Sequence, residues 1–121
     1  MFTAEFISVE DDGQDLILSF AVADEEGVEG IRSLILLRTP EFERLLPEDE
    51  RGVTVSMEDD ADEGMLLTRF EFMADGPSVA VQTRGGSYQV DLSAVDSEEI
   101  EGMRSVIQKM NFDSCFKITG I

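Results

Sequence analysis

The chain reads as an α+β domain: an antiparallel sheet of about six to eight strands, with one C-terminal amphipathic helix packed on one of its faces. Three observations predict this. Short apolar segments separated by turn chemistry recur from residue 1 to about residue 92, the signature of successive antiparallel strands. From residue 96 the apolar period lengthens from two to the helical spacing. Strands followed by a single amphipathic helix form a layout in which the helix must cover a sheet face. With 121 residues, 42 % of them apolar, there is material for one domain and one core.

Phe2 to Val9 is the first predicted strand, and Asp11-Asp12-Gly13-Gln14 then supplies a tight turn. In the second strand Leu16, Leu18, Phe20 and Val22 alternate with Ile17, Ser19 and Ala21, which gives one strongly apolar face. Ser33 to Arg38 is apolar on both faces and is expected to be central in the sheet, ending at Thr39-Pro40. Phe42, Leu45 and Leu46 fall at helical spacing, so Glu41 to Leu46 is expected to form one helical turn before Pro47. Val53 to Met57 and Met65 to Met73 are the next strands; in the second, Leu66, Phe70 and Phe72 are expected on one face, with Arg69 and Glu71 on the other. Asp75-Gly76-Pro77-Ser78 turns the chain into Val79 to Thr83, and Arg84-Gly85-Gly86-Ser87 turns it again into Tyr88 to Leu92.

The helix is expected over Asp96 to Met110, with Ile100, Met103, Val106, Ile107 and Met110 on one stripe. Asp96 and Glu99 have the spacing of a capping box, with Ser97 as the alternative cap. Acidic residues near its start and Lys109 near its end complement the helix dipole. Phe116, Ile118 and Ile121 are assigned to a short closing strand.

Charge narrows the chemistry. Twenty-seven acidic residues against nine basic ones, with no histidine, give a formal charge of −18 at pH 7. A field of that sign repels nucleic acid and anionic lipid and speeds encounter with cationic surfaces. Without histidine there is no Ser-His-Asp or Cys-His relay and no imidazole ligand for a metal. Cys115 is the single cysteine, which precludes an internal disulfide; Lys117 nearby could lower its thiol pKa, while a small packed hydrophobe is the simpler role. There is no phosphate-binding glycine motif, and Arg84-Gly85-Gly86-Ser87 joins two strands rather than opening a helix. Asp59-Asp60-Ala61-Asp62-Glu63-Gly64 fails as a calcium loop: starting at Asp59 places Ala61 at the third position and Phe70 at the twelfth, and starting at Asp60 displaces the glycine. No catalytic residue, cofactor or metal is therefore expected. The first residues lack the basic and apolar blocks of a signal peptide, and no apolar run approaches a membrane span, so the cytoplasm is the expected location.

The acids are concentrated around the fourth strand. Glu41, Glu43, Glu48, Asp49 and Glu50 precede it, and Glu58, Asp59, Asp60, Asp62 and Glu63 follow it. If the flanking connections lie at opposite ends of that strand the two groups stay apart; a short, curled strand would merge them into one acidic rim. Like charges this close weaken the fold by self-repulsion, so Glu48, Asp49, Glu50, Glu58, Asp59, Asp60, Asp62 and Glu63 are the candidate partner-binding residues. Phe42 and Tyr88 are candidate aromatic anchors that their spacing assigns first to the core.

The order of segments resembles the bacterial immunity protein 10 family. The resemblance lies in the opening Phe2-Thr3-Ala4-Glu5-Phe6-Ile7-Ser8-Val9-Glu10, in Leu34-Ile35-Leu36-Leu37-Arg38 leading to Glu41-Phe42-Glu43, and in Glu50-Arg51-Gly52-Val53-Thr54-Val55-Ser56-Met57-Glu58. The strand Tyr88 to Leu92 followed by the helix also matches its layout, whereas Leu67-Thr68-Arg69-Phe70 stands in place of an aromatic-glycine-glycine stretch. It implies a cytoplasmic antidote that binds a cognate toxin domain, with no catalytic residues to carry over. The partner expected is therefore a toxin domain with a basic surface, not nucleic acid or membrane, and a homodimer is left open. Two other binding readings stand beside it, an acidic secretion chaperone and a DNA-mimic inhibitor. Such chaperones open with a helix, whereas Phe2 to Val9 reads as a strand.

Overall fold

The computed structural model describes residues 2–23, 30–58 and 65–121. Among these residues eight strands form one mixed sheet: β1 (Phe2–Asp11), β2 (Leu16–Ala23), β3 (Arg32–Arg38), β4 (Thr54–Met57), β5 (Met65–Met73), β6 (Ser78–Thr83), β7 (Ser87–Asp91) and β8 (Lys117–Thr119). A short helix α1 (Pro40–Glu43) and a 3-10 turn (Glu48–Glu50) lie between β3 and β4, and the main helix α2 (Ser97–Met110) precedes β8. The α+β class and the C-terminal helix are as the sequence predicts.

The strands run β4-β3-β2-β1-β7-β6-β5-β8 across the sheet, and β4 also pairs with β5, so β1 to β7 close into a ring. This corrects the expectation of a purely antiparallel sheet. Seven strands of alternating direction cannot close without one parallel contact, and the seam falls between β1 and β7 at Phe2–Val90 and Thr3–Asp91. A second parallel pair, β5 with β8, follows from the crossover through α2.

Period-two alternation fills the interior. Leu18, Phe20 and Val22 of β2, Leu34 and Leu36 of β3, Val55 and Met57 of β4, Val79 and Val81 of β6, and Val90 of β7 are all buried. In β3 Leu37 is exposed, so this strand is flanked on both sides but not buried on both faces. In β5 the buried set is Leu67, Phe70 and Phe72 rather than Leu66, Phe70 and Phe72. An irregularity between Leu67 and Arg69 leaves Thr68 as an extra residue opposite β6, and that insertion reverses the facing of everything before it. Glu5 does the same in β1, so Ala4 and Ile7 both point inward and Phe6 outward.

The seam leaves an edge that α2 covers. β7 pairs with only the first two residues of β1, Phe2 and Thr3, and beyond them the helix runs along β1. The Ile7 N–H donates to Glu99 Oε1 at 2.9 Å, Lys109 Nζ donates to Asp11 Oδ2 at 2.8 Å, and Gly102 brings the helix backbone close to Val9. Met103, Val106, Ile107 and Met110 are buried against the sheet. The capping-box reading of Glu99 is thus replaced: Asp96 is the N-cap residue with no side-chain cap bond, and Glu99 instead serves the unpaired edge of β1.

β8 performs the equivalent task for β5, pairing with Arg69 to Glu71 above the two residues that β4 reaches. Gly120 follows at φ +84°, where an added Cβ would collide with the Phe72 carbonyl oxygen. Gly120→Ala is expected to lose about 2–4 kcal/mol in denaturant unfolding, since strain and a forced backbone shift combine. Gly76 also has positive φ, at +67°, but open space around it. Gly76→Ala should lose only about 1–2 kcal/mol.

Candidate protein-binding surface

β3 carries inward-facing residues at every second position, so after Leu34 and Leu36 the next to point inward is Arg38. Its side chain is fully buried. Nε and Nη2 donate to the two Glu43 carboxylate oxygens at 2.7 and 2.8 Å. Nη1 and Nη2 donate to Asp113 at 2.9 and 2.8 Å, and Nη1 also donates to the Met110 carbonyl at 2.6 Å. The Phe112 ring lies 4.2 Å from the guanidinium carbon. One planar fork therefore ties β3, α1 and the end of α2 together, a geometry lysine could not reproduce. Burial works against its charge, but the bonds to Asp113 and Glu43 outweigh this and raise the Arg38 pKa.

Cys115 Sγ lies 3.2 Å from Arg38 Nη1. Burial pushes its thiol pKa up, against the pull of the Arg38 charge. Its cationic neighbour is thus Arg38 rather than Lys117, and the net effect is opposite to activation.

Glu43 faces inward to meet Arg38, which turns α1 inside out relative to its sequence pattern. Phe42, Leu45 and Leu46 are 56, 74 and 41 % exposed, whereas Glu43 is buried. Tyr88 by contrast packs against the core with its ring 6.3 Å from that of Phe2.

The expected acidic residues separate. Glu48, Asp49 and Glu50 form the exposed 3-10 turn ahead of β4. Glu58 lies at the opposite end of β4, where its N–H donates to the Ser33 carbonyl and its Oε2 accepts from the Ser33 N–H, both at 2.8 Å. It extends the β3–β4 ladder, and among the described residues no rim joins it to Glu48–Glu50. Asp59, Asp60, Asp62 and Glu63 lie outside the described residues.

Other carboxylates come together at the end of the sheet from which the connection carrying Glu48–Glu50 emerges. The β1–β2 turn and the β3–β4 connection emerge at the same end of the sheet, joined by a bond from Thr39 Oγ1 to Asp15 Oδ1 at 2.7 Å. A shallow depression of about 140 Å³ between them is lined by Asp11, Asp15 and Glu41. It is well below the few hundred Å³ of a typical small-molecule pocket. Several of these acids have structural tasks: Asp12 Oδ1 accepts from the Gln14 and Asp15 N–H groups, and Asp11 pairs with Lys109. Among the described residues no hydrogen bond or ion pair engages the side chains of Glu41, Glu48, Asp49 or Glu50. Nor is any group of three or more Cys, Asp or Glu placed to hold a metal ion among them, and no described helix is long and apolar enough to cross a membrane. No family model, curated protein or solved structure matches the chain.

Sequence reasoning missed the Arg38 cluster, although its signal was present: the alternation that buries Leu34 and Leu36 also buries Arg38, and a buried guanidinium requires carboxylates. Arg38→Met should lose about 3–5 kcal/mol by stranding Glu43 without its cation, whereas Arg38→Met with Glu43→Leu should recover most of this, as read by denaturant unfolding. The Arg38 hydrogen bond holds the Asp113 carboxyl down at about 2, below its ordinary 3.8. A carboxyl depressed in the folded state stabilises above its unfolded pKa and loses that contribution as pH falls through its folded one. Unfolding free energy should therefore decline more steeply between pH 4 and 2 in the wild type than in Asp113→Asn, with the two curves converging at the acid end.

Proposed function

We propose that the chain is a non-catalytic antidote that binds a cognate bacterial toxin domain and covers its basic, substrate-facing surface. The observation that carries this reading is the set Glu41, Glu48, Asp49 and Glu50. These carboxylates stand exposed on one connection without an intramolecular partner among the described residues, and the start of that connection, at Thr39 to Glu41, adjoins the turn that carries Asp11 and Asp15. Carboxylates that hold the fold together need no further explanation. Carboxylates that repel one another and hold nothing are free to meet a cationic surface. The chain's charge of −18 would steer that encounter, and steering raises association rates from about 10⁵–10⁶ toward 10⁸–10⁹ M⁻¹s⁻¹ at low salt. Speed matters for an antidote that acts inside the producing cell. The resemblance to the immunity protein 10 family points the same way.

Co-expression with a toxin domain taken from the open reading frame next to this gene is the direct test; undiminished killing with the antidote in excess, or a neighbouring frame that encodes no toxin domain, removes the reading. In stopped-flow mixing with that domain, association should slow at least several-fold as ionic strength rises from ~0.01 to ~0.15 M, since the screening length shortens from about 30 to about 8 Å. Glu48→Gln/Asp49→Asn/Glu50→Gln should flatten this dependence. A rate indifferent to salt would leave these carboxylates with solubility as their only task.

A further inference from the structure

We propose that α1 and the turn that follows it are the anchor of the binding face: Phe42 of α1 and Leu45 and Leu46 of the turn enter an apolar recess on a basic protein, and the carboxylates around them meet its cationic rim. This rests on the antidote reading above and names the face and the residues through which it acts.

Single exposed apolar side chains are ordinary on a folded protein. Three within five residues are not scattered singly. The segment is also held in place. Pro40 occupies its first turn, Glu43 is clamped by Arg38, the Leu46 N–H donates to the Glu43 carbonyl at 2.9 Å, and Arg51 Nε donates to the Leu46 carbonyl at 3.0 Å. A pre-ordered segment spends less conformational entropy on docking. Apolar anchors ringed by polar groups are the usual anatomy of a protein interface.

Charge selects the occupant. Glu41, Glu48, Asp49 and Glu50 flank the trio on the same connection, with Asp15 joined to it through Thr39; against them stand two cations, Arg44 within the segment and Arg51 bonded to the Leu46 carbonyl, so the face keeps a net negative charge. A second copy pairing through this face about a two-fold axis would set the same carboxylates against each other. A surface bearing Lys and Arg around an apolar recess satisfies both the charge and the trio. The complement is a basic protein, not another copy of this chain.

Two probes test this. The first is a helical peptide of lysine and leucine, with a lysine–serine peptide as control, titrated into the labelled wild-type chain by NMR. The amides of residues 41–50 should shift with the leucine peptide, which should bind ~30-fold more tightly than the control, as expected for the loss of anchor contacts. Equal binding of the two peptides, or shifts centred on another face, would overturn the inference. The second is the neighbouring toxin domain, measured against Phe42→Ser/Leu45→Ser/Leu46→Ser. These positions are exposed, so folding should be preserved and is checked by circular dichroism. Dissociation at least ~30-fold faster than wild type supports the assignment. Unchanged dissociation overturns it and leaves the antidote reading standing, whereas a domain that fails to bind the wild type overturns that reading while the peptide result still judges the anchor. A concentration-dependent dimer abolished by the same triple substitution would assign the face to a second copy and overturn the proposal.

Discussion

A guanidinium inside an apolar interior is costly unless its donors and its charge are both answered, and around Arg38 the fold supplies that answer from three directions. Glu43 comes from α1, Asp113 from the loop after α2, and the Met110 carbonyl from the helix end itself. Each contributor is thereby positioned. The last turn of α2 is placed against the end of β3, and α1 is rotated so that its carboxylate points inward. The outward display of Phe42, Leu45 and Leu46 follows from that rotation. The polar cluster thus governs the exterior as well as the interior.

Closure of an odd-numbered ring imposes the second constraint. Seven alternating strands must meet once in parallel, and here that seam spans two residues of a ten-residue β1. The remaining edge of β1 would invite pairing with another chain if left bare. α2 lies along it and fills one of its hydrogen-bonding positions with Glu99. The same economy appears at β5, where β8 takes up the stretch that the four-residue β4 cannot reach. The C-terminal third of the chain therefore completes a sheet that the first two-thirds leave open, and Gly120 marks the closest approach in that repair.

Strands with clean alternation were legible from the sequence, because one side chain in two must find the core: β2 runs one residue past the expected Val22, and β7 is shifted by one residue at each end, while β5 has the expected extent but not the expected facing before Thr68. What period-two reasoning misses is an inserted residue. Glu5 and Thr68 each reverse the facing of a strand, and neither differs chemically from a regular exposed position. The parallel seam was hidden for another reason, since register around a ring is a property of all seven strands together. At α1 local pattern and tertiary demand conflict. Helical spacing would bury Phe42, Leu45 and Leu46, but Arg38 is already buried by the alternation of β3 and leaving it without a carboxylate would be costly, so Glu43 takes the inward position. The acidic residues were legible as a composition and not as a surface. Glu58 and Glu50 are eight positions apart, yet a strand stands between them, while Asp15 and Thr39, far apart in sequence, are in hydrogen-bond contact.

That distribution also separates two kinds of acid in one highly charged chain. Asp11, Asp12 and Asp91 are held below the ordinary carboxylate range by hydrogen bonds, chiefly from Lys109 for the first and from backbone N–H groups for the other two. Their charge is an ingredient of turn geometry, as is that of Glu58 beside Ser33 and of Glu99 beside Ile7. Removing any of these would be felt as altered structure. Glu41, Glu48, Asp49 and Glu50 contribute no such bond within the described residues, and Glu48-Asp49-Glu50 sets three like charges in succession. Their retention around a pre-ordered apolar trio is economical only if something outside the chain supplies the opposite charge, and this is the physical reason to regard the connection between β3 and β4, rather than the acidic composition as a whole, as the working surface of the proposed antidote.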